Sequence, residues 1–101
     1  MLNKKFFDSL KKEYVTSDIE RRKIISQSNN ILHGSKRIIF TLHRGEIEKA
    51  ELALTESEKS ILGMQKHFGF SRLSEEGSYN AAIEEFVEAY MFHKYLIKKK
   101  V

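Results

Sequence analysis

A chain of 101 residues has room for one small domain, spanning 1 to 101, that buries a limited share of its surface if it stays monomeric. It holds no Cys, no Pro and only 5 Gly, which excludes disulfides and thiolate zinc sites and favours an all-helical fold with short connections. The net charge of +4 hides a segregation: ten Lys and Arg against four acids up to Arg44, four against ten from Gly45 to Ala89, then four Lys and no acid. Such separation offers a phosphate-attracting face and, elsewhere, an acidic one.

Leu2, Phe6, Phe7, Leu10 and Tyr14 recur at helical spacing with Lys4, Lys5, Lys11 and Lys12 outward, so a short amphipathic helix is expected over residues 2 to 15. Ser17 or Asp18 offers an N-cap, with Glu20 in the turn that follows. A new helix is expected from 18 to 44, either after a break or as the continuation of one longer helix. Its seam is the clearest pattern in the chain: Ile24, Ser28, Ile31, Ser35, Ile38 and Leu42 step by four and three. Ser28 and Ser35 suit close helix approach or hydrogen bonds to the i−4 carbonyl. Gly34 costs ~1 kcal/mol relative to Ala inside a helix, so close packing is expected there. Off the seam lie Arg21, Arg22, His33, Lys36, Arg37, His43 and Arg44, which read either as a stripe for phosphates or as a solvated face. Arg37 and Arg44, seven apart, are nearly aligned.

Gly45 ends this segment, and the next helix is expected from 46 to 68 with Ile47, Leu54, Ile61, Leu62 and Met64 inward and Glu46, Glu48, Glu51, Glu56 and Glu58 outward. Gly69, Ser71, Ser74, Gly77 and Ser78 mark a loop. The last helix, 78 to 98, is apolar nearly all round. Tyr79, Ile83, Phe86, Val87, Tyr90 and Ile97 form one broad stripe, while Ala81, Ala89, Phe92 and Leu96 occupy the other side beside Glu85 and Glu88. An exposed Phe92 and Leu96 would call for a partner, so an oligomer is expected. His93 reads as a buried, hydrogen-bonded residue. Glu85 and Glu88 are three apart on one face, close enough to share a divalent cation or simply to form a narrow solvated strip. No segment approaches ~18 consecutive apolar residues, so no membrane span and a cytoplasmic location are expected. These elements together predict an all-α antiparallel bundle of three to four helices without a sheet.

Three runs carry a family resemblance. Residues 24 to 44, I-I-S-Q-S-N-N-I-L-H-G-S-K-R-I-I-F-T-L-H-R, resemble the first long helix of the translin family, with S-K-R and L-H-R spaced as in its translin-associated factor X branch. L-T-E-S-E at 54 to 58 and E-E-F-V-E-A at 84 to 89 are similar to the same branch, in the same order. The resemblance covers about 6 to 96 and corresponds to the N-terminal half of family members. It implies an all-helical protein that binds single-stranded RNA or DNA and assembles into closed shells, as a homo-oligomer or as a hetero-oligomer with a translin-like chain. In the factor X branch it further implies a Mg²⁺-dependent endoribonuclease, with Glu85 and Glu88 falling on catalytic, metal-ligating acids. His33, Lys36, Arg37, His43 and Arg44 are then the candidates for nucleic-acid contact, and a structural assembly subunit is the third alternative.

Overall fold

The computed structural model describes residues 3 to 99, which form α1 (Lys4–His43), α2 (Ile47–Phe68), α3 (Phe70–Ser74) and α4 (Gly77–Lys99), with no strand among them. Leu2 and Lys100 lie outside the described residues. The first two expected helices are one. No Gly or Pro interrupts residues 4 to 33, and Asp18 pairs with Arg22 at 3.0 Å, one turn along the same helix, instead of capping a new one. The true cap is Asn3, whose Oδ1 accepts the Phe6 amide at 3.1 Å.

Gly45 stops α1 by adopting φ 79°, a left-handed conformation that costs a residue with a Cβ about 1 kcal/mol or more. The Glu46 amide then reaches the Thr41 carbonyl and the Gly45 amide the Leu42 carbonyl, at 3.2 and 3.0 Å, which satisfies two orphan acceptors and turns the chain back along α1.

All six seam residues of α1 are buried. Ile24 and Ile31 pack with Ile61, Met64, Leu73, Tyr79 and Ala82; Ile38 and Leu42 pack with Ala50, Leu54 and Ala89. The order of these partners shows α2 antiparallel to α1 and α4 antiparallel to α2. Contacts of α1 with α2 and with α4 dominate, and α2 scarcely touches α4, so α1 is the spine. On α2, Ala50 is buried and Leu62 is not.

The expected loop holds a helix. Leu73 of α3 is fully buried, and truncating such a side chain to Ala costs about 2–5 kcal/mol. Arg72 beside it donates to Glu76 at 2.9 Å and to Glu20 at 3.1 Å, and Arg21 approaches Glu76 at 3.4 Å. The hydrogen bond to Glu76 is the main cause that raises the Arg72 pKa above its ordinary value. This network ties the turn between α2 and α4 to the side of α1.

α4 is rotated from its expected setting. Tyr79 is buried and Ile83 and Phe86 half-buried as expected, but Val87, Tyr90 and Ile97 are exposed. The helix turns Ala82, Ala89 and His93 fully inward, with Phe92 and Leu96 half-buried against the same core. Small residues explain the rotation: Ser28 and Ser35 on α1 and Ala82 and Ala89 on α4 are all 0% exposed, so the two backbones come close where a large residue would hold them apart. Among the described residues neither serine hydroxyl bonds to its i−4 carbonyl or to any other group, whereas Thr41 does donate to the Arg37 carbonyl at 2.8 Å.

The described residues extend 74 × 19 × 17 Å. The length comes from α1, whose residues 4 to 17 are exposed throughout. Among the described residues no helix is long and apolar enough to cross a membrane.

Candidate nucleic-acid interface

A shallow groove of about 840 Å³ runs between α1 and α2. Ile31, Ile38 and Met64 line its apolar depth, Gln27, Asn30, Ser57 and Ser60 its polar flanks, and Arg37, Phe40, Arg44 and Lys49 bring charge and an aromatic ring to it. The turn at Gly45 creates this grouping, because it folds the first turn of α2 back against the last turn of α1 and sets Lys49 near Arg44. Gly34 also lines the groove. A Cβ there would meet the Arg37 Nη2 and Ser57 Oγ at 3.9 Å each, ordinary contacts, so the expected close packing is not its reason.

Three cations and one acid, Glu56, line the groove, and Glu56 lies 3.9 Å from Lys59. Glu46 stands at the mouth. It accepts from Arg44 Nε at 2.7 Å and lies 3.7 Å from Lys49 Nζ. The hydrogen bond from Arg44 is the largest influence holding the Glu46 carboxyl below its ordinary pKa of 4.5. Arg44 Nη2 also reaches Thr41 Oγ1 at 3.4 Å. Arg37 has no ion-pair partner among the described residues. It is therefore the groove cation best placed to take an external anion, and Arg44 is the one that must exchange a carboxylate for it.

The five sequence candidates divide between two faces. His33, Arg37 and Arg44 follow one exposed stripe of α1 at positions i, i+4 and i+11. Lys36 and His43 turn towards α4 instead: Lys36 Nζ donates to Glu85 Oε1 at 3.4 Å, and the His43 ring packs on Phe92 with centroids 4.7 Å apart and a 45° tilt. Phe40 and Lys49 were missed. A search for cations on α1 passes over a phenylalanine, and Lys49 is masked by the acids around it. The signals were present, since Phe40 sits three residues after Arg37 and four before Arg44.

Glu85 is half-buried beside Lys36 while Glu88 is exposed. The described residues contain no group of three or more His, Asp or Glu side chains arranged to hold a metal ion. Mg²⁺ demands near-octahedral oxygen coordination, so two carboxylates of which one already accepts from a lysine do not fit it unaided. Glu46 is held elsewhere, by Arg44 and Lys49. His93 is buried as expected, with Nε2 3.0 Å from Glu51 Oε2 and Nδ1 without a partner among the described residues.

Comparison with protein-family models, with curated proteins and with solved structures gave no match.

Proposed function

We propose that this chain is a translin-like module that binds single-stranded RNA or DNA through the groove between α1 and α2, without reading its sequence. The supporting observation is the convergence of Arg37, Arg44 and Lys49 on one groove, with Arg37 unpaired among the described residues. Cations spaced along a helix meet successive phosphates, and such contacts give affinity that falls with salt.

The test is binding of a labelled single-stranded oligonucleotide as a function of salt. Each phosphate contact on a single strand contributes about −0.7 to the slope of log K against log salt, so three cations set a limit of about −2.1. That limit corresponds to a loss of about 18-fold between roughly 50 and 200 mM salt. Substituting Arg37→Ala with Arg44→Ala leaves Lys49, a slope of about −0.7 and a loss of only about 2.6-fold. An unchanged slope in the double variant sinks the reading.

Assembly with a second copy of this chain is a second reading, favoured by the overhanging part of α1. Its four-and-three register, counted back from Leu42, passes through Phe7, Leu10 and Tyr14, which are 63%, 48% and 74% exposed. Lys4 and Lys11 flank this strip, and the outer surface of α2 offers the exposed Glu48 and Glu58 as a complement on the other copy. The narrower reading, a Mg²⁺-dependent endoribonuclease with Glu85 and Glu88 as ligands, requires Lys36 to leave Glu85 and further oxygen donors to come from another chain. A cytoplasmic location belongs to the translin-like reading as well.

A further inference from the structure

Phe40 is 64% exposed on the face of α1 opposite its buried seam. A single exposed aromatic is ordinary on a protein surface. What sets this one apart is its company. It lies between Arg37 and Arg44 along the helix and lines the same groove as Arg37, Arg44 and Lys49. Neither half of the core includes it, and no aromatic partner is found for its ring among the described residues. The ring thus stands exposed at the groove, between Arg37 and Arg44 in helical position.

Resting on the reading of the groove as a phosphate-binding surface, we infer that Phe40 is a base-stacking residue on which an unpaired nucleobase lies while Arg37 and Arg44 hold the flanking phosphates. The chemistry requires each part. Phosphates bind by charge and are found equally on single strands and duplexes, so arginines alone do not distinguish them. A base face is available only where the strand is unstacked, because in a duplex both faces are covered by neighbouring pairs. An aromatic ring between two phosphate contacts therefore selects single-stranded nucleic acid, and every base has a π-face, so it does so without sequence preference. Arg37 contributes twice, since a guanidinium near a stacked base also meets its π-system favourably. Glu46 tempers the site by holding Arg44 until a phosphate takes its place.

The experiment uses the whole chain and exploits the absence of tryptophan. In Phe40→Trp the indole is the sole one and reports directly on stacking. Three probes are titrated at equal length: a single-stranded oligonucleotide, the same backbone without bases, and a duplex. The expected result is quenching of Trp fluorescence by the base-bearing single strand and none by the abasic strand, although both bind. Phe40→Ala should weaken binding of the base-bearing strand by between about 5-fold and about 150-fold, as loss of one stacked base does, and leave the abasic strand unchanged. Phe40→Leu, which keeps an apolar side chain without a π-face, should behave as Phe40→Ala. Circular dichroism should show all three variants folded, because the ring contributes nothing to the core.

Stacking is overturned if Phe40→Ala binds the base-bearing strand as tightly as the parent while Arg37→Ala with Arg44→Ala weakens it. It is also overturned if Phe40→Leu restores the parent affinity, or if Phe40→Ala changes the sedimentation of the chain and not its binding, in which case the ring belongs to a protein interface. Failure of the parent to bind any of the three probes overturns the groove reading itself, and stacking with it.

Discussion

Ser28 and Ser35 provide the sharpest quantitative test of how the bundle is packed. Both are 0% exposed at the close approach of α1 and α4, and both hydroxyls lack a hydrogen-bond partner among the described residues. A buried polar group left unpaired costs about 1–3 kcal/mol, so replacing either with Ala removes that cost. The change also gains helix propensity, by up to ~0.7 kcal/mol, because serine competes with the helix for its own hydrogen bonds. Against this stands the small void left by one oxygen, of the order of 1 kcal/mol at most. The net expectation is a stabilisation of about 1–2 kcal/mol per site. For a chain of this size that raises Tm by roughly 4–16 °C. The two positions are two helical turns, ~10.5 Å, apart, so the double variant should gain the sum to within about 0.5 kcal/mol. Urea titration followed by circular dichroism should show the midpoint rising at unchanged slope. Thr41→Val is the contrast: its hydroxyl donates to the Arg37 carbonyl at 2.8 Å, so no comparable gain is expected. If Ser28→Ala or Ser35→Ala lowers Tm, the hydroxyls are bonded in solution and the account of the α1–α4 contact is wrong.

Gly34→Ala should raise stability by about 1 kcal/mol, since the added Cβ meets only ordinary contacts at 3.9 Å; a loss in thermal melting would show that the groove floor is tighter than described. Because the folded pKa of Glu46 lies below its ordinary 4.5, its ion pairs contribute stability above that value and lose it as pH falls through the lower folded pKa. Glu46→Gln should therefore flatten the acid limb of the stability profile below about pH 4.5 while steepening the salt slope of oligonucleotide binding towards the three-cation limit. An acid limb identical to the parent's contradicts the pairing with Arg44. Replacing Phe7 and Leu10 together by Ser should shift sedimentation towards the 11.8 kDa monomer; a parent that already sediments as a monomer at micromolar concentration removes the assembly reading. For Mg²⁺, melting of the parent is compared with that of Glu85→Gln with Glu88→Gln. A rise in Tm on adding Mg²⁺ to the parent alone would establish that these carboxylates hold a cation despite Lys36, whereas equal responses would leave them as surface acids.

Helices and the seam of α1 were legible from the sequence because the cause is local: apolar residues at four-and-three spacing, no Pro, and Gly45 where the chain must turn. Glu46 to Phe68 was legible for the same reason. The sequence could not decide whether Ser17 and Asp18 begin a helix, since a capping residue acts only if the preceding turn unwinds, and nothing between Lys4 and His33 makes it unwind. Nor could it orient α4. A helix apolar nearly all round has no preferred face of its own, so its rotation was decided by which residues let it approach α1, and Ala82 and Ala89 opposite a spine that carries Ser28 and Ser35 outweighed the larger Val87 and Tyr90. The same rotation pointed Glu85 at Lys36 and Phe92 at His43, dividing candidates that look equivalent along the chain. Arg37, Phe40, Arg44 and Lys49 form one groove only because a left-handed Gly45 returns α2 along α1. Spacing along one helix gave the first pair of cations; the fourth side chain came from another helix, and only the tertiary structure could bring it there.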